Sequence, residues 1–432
     1  DPAGVLAGAL LTATATVDRA TSEFGPNVTV DESGPLSYTA TTGGAHNLAF
    51  SSDGTNLDLF DNGILVASRP SALTTSVSIT GSASGTNTFQ VALNVPYSGS
   101  VTVSDPTGLG TLTVAGANAG QPLSLSSTRV EQAGISVQYS GLSALDIQLG
   151  GASEVSILGT SAGVSTTLDL GSTASQVVVG NPFSMSGSTL DGILGGLSLI
   201  DCGLSSLRVD ASGASANLSG TLSGTLLTGL GMGANLAFGP LASLAVSLGT
   251  GNDVLSLTGL SAPTAVLDAG AGSDALSVDV AGDLSQAVST EGFESISIQV
   301  GGDLSGTLSA PASSHVAPLV VGGSWTSTGT VMAGSFSSVL VKNDLSGTIH
   351  AIEDLDVAGS GVINGLEVDG QFTKTGLISG GALSNLHFLN NAEGTITAQG
   401  AGTIDGVSIG GSLTGTVTAY VDDTDGSGSI SG

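Results

Sequence analysis

Val, Leu and Ile alternate with Ser, Thr and Gly through most of the chain, and this period of two is the signature of β-strands with one face turned to a core. The segment Ser297-Ile298-Gln299-Val300-Gly301-Gly302-Asp303-Leu304-Ser305-Gly306-Thr307-Leu308-Ser309-Ala310 shows the unit. It reads as two short strands joined at a Gly-Gly corner. The corner recurs, beginning at Ala281, Gly301, Gly322, Lys342, Asp369, Asn390 and Gly410, in steps of 20, 21, 20, 27, 21 and 20 residues. Repetition near 20 residues predicts a solenoid, in which each unit buries its apolar face only against its neighbours. The long step predicts a bulge or extra half-turn around Ala358-Gly359-Ser360-Gly361.

After each corner comes Leu-x-Gly-Thr-apolar-x-Ala, as in Leu345-Ser346-Gly347-Thr348-Ile349-His350-Ala351 and Leu413-Thr414-Gly415-Thr416-Val417-Thr418-Ala419. The Leu, β-branched and Ala positions are predicted to face inward, with Ser and Thr outward. The corners carry Gly, Asn or Asp, and the expected reason is positive φ at a sharp turn. Leu319-Val320-Val321-Gly322-Gly323-Ser324-Trp325 aligns with Leu366-Glu367-Val368-Asp369-Gly370-Gln371-Phe372, so the only Trp has a Phe counterpart and is expected to be a packed lid.

Upstream, sliding the chain by 99 residues lays Ser140–Gly150 over Gly239–Gly249 and Thr167–Gly171 over Val266–Gly270. The organisation expected is therefore an irregular β-rich N-terminal cap over residues 1–100, two tandem modules over 101–280, coils of about 20 residues over 281–420, and an acidic tail over 421–432. The cap reads as short strands separated by turns such as Ser52-Asp53-Gly54 and Asp61-Asn62-Gly63. A solenoid end needs such a cover, because it exposes strand edges. The fold class predicted is all-β, an elongated parallel β-helix.

Composition sharpens this. Of 432 residues 67 are Gly, aromatics are 3% and charged residues 9%. So little charge accompanies either membrane segments or tightly stacked β structure, and no apolar run approaches the roughly 20 residues of a membrane helix. The formal net charge of −29 repels nucleic acid and anionic lipid, which are recognised through Lys and Arg. Neither nucleic-acid binding nor membrane insertion is expected. The acidity serves solubility outside the cell or binding of divalent cations, and both readings stand. Cys202 is alone, which excludes an intrachain disulfide and predicts a small buried residue. No charged-then-apolar leader precedes Asp1, so a secreted chain would be a mature or trimmed form.

Two stretches could bind metal. Gly249-Thr250-Gly251-Asn252-Asp253-Val254-Leu255 and Gly270-Ala271-Gly272-Ser273-Asp274-Ala275-Leu276 carry Asp residues 21 apart, a spacing that suits equivalent corners of successive coils. In the earlier module the aligned positions are Glu154 and Ser175. The C-terminal Asp423-Thr424-Asp425-Gly426-Ser427-Gly428-Ser429-Ile430 follows an EF-hand loop at its first, third and fifth positions, its Gly and its apolar residue, without the twelfth-position acid. No catalytic constellation is visible: His46, His315, His350 and His387 are dispersed, and no strand offers repeated acids beside Arg or Lys. The chain is not expected to be an enzyme.

The Gly-x-Gly-x-Asp corners resemble the calcium-binding nonapeptide of RTX β-rolls. With the Gly-Gly-x-Leu-x-Gly-Thr coils, the chain looks like the secreted bacterial repeat proteins related to RTX proteins and filamentous haemagglutinin-like adhesins. That resemblance implies export to the bacterial surface, calcium as cofactor, and Gly251, Asp253, Gly272 and Asp274 as its site, alongside Asp423, Asp425 and Ser427 of the tail. A metal-free corner remains the alternative. The function expected is an extracellular structural protein that assembles with itself, end to end or laterally, into a filament, sheath or layer. A monomeric adhesin or stalk binding surface polysaccharide is the second reading, and a polysaccharide-degrading β-helix the third.

Overall fold

The computed structural model describes residues 10–11, 16–17, 20–21, 28–29, 32–41, 43–117, 120–181, 187–354, 361–419 and 429–431. Among these the chain is all β, with one 3-10 turn at Ser71–Leu73 and no helix long and apolar enough to cross a membrane. The Ala358–Ser360 stretch singled out above, and Asp423, Asp425 and Ser427, lie outside the described residues.

The chain divides into two compact units, residues 1–121 with 128–150, and residues 122–127 with 151–432. The first unit is of mixed orientation. His46–Ser52, Asn56–Asp61 and Ile64–Pro70 form an antiparallel meander. Its second turn places Asn62 and Gly63 at φ 50° and 78°, the left-handed pair that a two-residue hairpin loop requires. Beneath it the pairing turns parallel. His46–Ser52 lies beside Asn87–Ala92 and then Gly110–Ala117, while Gly34–Thr39 lies beside Thr74–Thr80 and then Ser100–Ser104.

In the second unit, strands pair in parallel register across each repeat. One ladder runs from Leu123–Ser126 through Ser243–Ser247 and Thr307–Ser309 to Thr416–Ala419. Another runs from Ser219–Gly224 through Phe293–Val300 and His315–Val321 to Thr395–Ile409. Antiparallel hairpins interrupt this at Ser219–Gly224 with Leu226–Gly229, and at Leu226–Gly229 with Leu236–Phe238. Uniform parallel pairing is thus not the rule, because these short hairpins close locally through left-handed residues such as Gly224 and Gly229.

The interior of the later repeats is a stack of like positions. Leu284, Leu304, Trp325, Leu345, Phe372, Ala392 and Leu413 bridge in turn, each to the next, and all are buried except the last, Leu413, which is 51% exposed. Leu345, Ile349 and Ala351 are fully buried and Ser346 and Thr348 half-buried, as alternation demands. Trp325 is 0% exposed. Gly347 in the Leu-x-Gly-Thr motif is small for that reason: a Cβ there would overlap the Trp325 ring, as one at Gly394 would overlap Phe372.

The corner glycines correct an expectation. Gly301, Gly302, Gly322, Gly323, Gly410 and Gly411 are absent from the left-handed region. They are glycine because successive corners stack in contact. A Cβ at Gly301 would overlap the Ala281 carbonyl, and one at Gly302 the Asp283 carboxylate. That carboxylate has its own task. Asp303 N donates to Asp283 Oδ1 at 2.8 Å and Ser324 N to Asp303 Oδ1 at 2.7 Å, and Gln371 and Ser412 repeat this with Asp344 and Asn391. Each acid satisfies a backbone donor that the turn leaves without a ladder partner.

Candidate functional site

The expected metal corners fall in the second unit, where Asp253 immediately precedes Val254–Leu260 and Asp274 opens Asp274–Val280. These strands pair from Val254↔Ala275 onward, which sets the two acids one above the other. Both are buried, Asp253 at 0% and Asp274 at 1% exposure. Leu218 N donates to Asp253 Oδ1 at 2.7 Å, Asp253 N to Asp274 Oδ1 at 2.6 Å, and Asp274 N to Glu294 Oε2 at 2.7 Å. Three acids in successive repeats thus form one file, each accepting from the repeat before it.

Ser175 shows that the file has a structural duty independent of charge. In the earlier module Ser153 N donates to Ser175 Oγ at 3.2 Å, and Ser175 N to Ser205 Oγ at 3.0 Å. The residue standing where Asp253 stands is buried Ser153; Glu154 is exposed. A one-residue slip in the internal repeat hides this, since Val155 and Leu255 face inward 100 apart while Val177 and Leu276 do so 99 apart. Gly251 and Gly272 are likewise corner-stacking residues, because a Cβ at Gly272 would overlap the Gly251 carbonyl.

What Asp adds over Ser is a second oxygen. Asp253 Oδ2 and Asp274 Oδ2 are buried and have no hydrogen-bond partner. Desolvation raises the Asp274 carboxyl above its ordinary range, against the lowering effect of the hydrogen bond from Asp253, and the charges of Asp253 and Glu294 raise it further. Positive charge brought to this corner would find two oxygens without partners. Calcium takes six to eight oxygen ligands, roughly, so two orphan carboxylate oxygens would need carbonyls and waters to complete the shell. Among the described residues no three His, Cys, Asp or Glu side chains converge as a metal-holding group.

The other polar groups stand apart from this file. In the first unit, Tyr38 OH donates to Asp61 Oδ2 at 2.8 Å and His46 Nδ1 lies 2.9 Å from the same oxygen. The hydrogen bond to Asp61 raises the Tyr38 phenol. His315 contacts Ser335 Oγ and Ser337 Oγ through its two ring nitrogens, and His350 Nδ1 contacts Ser379 Oγ at 2.8 Å. Arg208 pairs with Asp210 and Lys342 with Asp369.

Cys202 is 1% exposed. Burial raises its thiol above the usual range, opposed by a hydrogen bond from the Gly239 backbone, and the charges of Asp201 and Asp169 add to the rise. Iodoacetamide at pH 8 is therefore expected to leave the native chain unlabelled and to modify one thiol once denaturant is added. Labelling at equal rates in both conditions would contradict this burial.

No protein-family model, curated protein or solved structure matches the chain.

Proposed function

We propose that the protein is a secreted structural protein of the bacterial surface, built as a β-solenoid, whose copies join through strand edges into a filament, sheath or layer. The observation that carries this reading is the ladder ending at Thr416–Ala419. Among the described residues this strand pairs on one edge alone, with Thr395–Ile409. An edge left so, with its own apolar row uncovered at Leu413, which is 51% exposed, is a template for another strand. A head-to-tail contact of that kind does not close on itself and so propagates. Calcium belongs to the same reading, held by the orphan oxygens of Asp253 and Asp274 and drawn by the net charge of −29.

Sedimentation velocity and electron microscopy test the assembly directly. In millimolar calcium, raising the protein concentration is expected to give particles that lengthen. Val417→Pro is expected to stop the growth: Thr416 N donates inward to Gly394 O, so the next N–H lies on the open edge, and proline there removes that donor and adds a ring where a partner strand must lie. A wild-type chain that stays monomeric at high concentration with calcium sinks the proposal.

A further inference from the structure

A second feature of the later repeats is a groove with no part in the acid file or in the open edge. It begins in the backbone. Ser338, Gly365, Asn385 and Gly406 hold φ of 57°, 83°, 55° and 67° within successive strands of the second ladder. Their neighbours stay in register, Ser337↔Asn364↔Ser384↔Asp405 on one side and Val339↔Leu366↔Leu386↔Val407 on the other. One left-handed residue per strand therefore bends every strand at the same place. The bends line up into a trough that crosses the strands.

The trough has a volume of about 430 Å³, within the range of ligand sites. One side is the row Val320, Leu340, Glu367 and His387, in register across four strands, and Pro318 and Asn385 also line it, so the trough is apolar at its first two strands and polar at its last two. Asn385 is fixed in place, because its Nδ2 donates to Asn364 Oδ1 at 2.8 Å. Glu367 and His387 are adjacent in register and both exposed. No Lys or Arg lines the trough.

We propose that this trough binds an extended glycan, neutral or amino-bearing, lying across the strands with one sugar per repeat. Three observations select that occupant. The repeats recur at the strand spacing of about 4.8 Å, close to the advance of one pyranose in an extended chain, whereas an extended peptide advances about 3.3 Å per residue and would fall out of step. The lining offers what a glycan chain presents, Pro318, Val320 and Leu340 to the C–H faces of the sugars at the first two strands, and Glu367, Asn385 and His387 to the hydroxyls of those at the last two. An anionic glycan would meet Glu367 with no Lys or Arg among the described lining residues to balance it, on a chain of net charge −29. The inference rests on the trough alone and stands or falls apart from self-assembly.

The test is calorimetric titration of the full chain with cellohexaose, a chitosan hexamer and an oligogalacturonate hexamer, each beside its dimer. The neutral and amino hexamers are expected to bind at least about tenfold tighter than their dimers, and the anionic hexamer not at all. Asn385→Gly combined with His387→Ala, both at exposed positions, is expected to weaken hexamer binding about tenfold or more, the scale of one or two lost polar contacts. Its melting curve should match the wild type. Leu340→Glu, which blocks the apolar end, should act in the same direction should the first variant lose its fold. No binding of either hexamer at millimolar concentration overturns the proposal. So do equal affinity of dimer and hexamer, binding untouched by both variants, or a trough filled by peptide or by a second copy insensitive to sugar.

Discussion

Replacing Trp325 with alanine is expected to lower the unfolding free energy by about 3 kcal/mol, the low end of the range for emptying a large aromatic from a core. The low end follows from the ring's own cost. Its indole Nε1 is buried without a hydrogen-bond partner, and truncation relieves that penalty while it opens the cavity. The cavity cannot collapse easily. The ring sits between Leu304 and Leu345 in the bridged row, and Gly329 and Gly347 are pressed against it. Trp325→Phe should cost less, since Phe372 occupies the corresponding place in a later repeat. Gly347→Ala should be strongly destabilising in the wild type and less so beside Trp325→Ala, because its Cβ then gains the space of the ring but still meets the Gly329 carbonyl. Chemical denaturation of the four chains gives this coupling. Equal effects of Gly347→Ala in both backgrounds would show that the glycine serves something other than the ring. Hydrogen exchange should place the loosening in the repeats beside Trp325, as expected where each repeat touches only its neighbours.

Much of the core was legible because it depends on alternation. Leu345, Ile349 and Ala351 point inward as their spacing requires, and the matched Trp325 and Phe372 share one row. The corner glycines were located by their period and misread in cause. Sequence reports that a position is glycine; whether φ or a neighbour's carbonyl demands it depends on how close the next repeat lies. Ser153 was missed for a related reason. A one-residue slip leaves the pattern of apolar residues almost unchanged but transfers the inward place from Glu154 to its neighbour. The trough had only a partial sequence signal, for Gly365, Asn385 and Gly406 are types that take up positive φ while Ser338 is not, and nothing in the alternation places such a bend inside a strand. Its existence follows from the bends falling in line, which is a property of stacking.

Asp274→Asn is expected to raise the melting temperature in chelator, and Asp274→Ala to lower it. Asparagine keeps an oxygen for the Asp253 N–H while removing the middle charge of the Asp253, Asp274 and Glu294 file. Alanine leaves that buried N–H without an acceptor, at a cost of about 1–3 kcal/mol. The pH dependence has a definite sign. Asp274 in the folded chain holds its proton more tightly than in the unfolded one, whose carboxyl keeps the ordinary value of 3.8. Over the window between that value and its raised folded value, the native state binds more protons, so stability rises as pH falls. Relief of general acidic repulsion adds to the same trend, and the asparagine variant subtracts it. The rise should be shallower in Asp274→Asn than in the wild type, and equal slopes would remove Asp274 as a cause. Calcium reverses the comparison. A bound cation stabilises the wild type by mass action, so chelation is expected to lower its melting temperature, and Asp253→Ala with Asp274→Ala to abolish most of that response. A wild-type melting curve indifferent to chelator would end the calcium reading but leave the pH difference intact. The proton on Asp274 and a bound cation compete for the same carboxylate, and only the cation requires the rest of the corner to supply ligands.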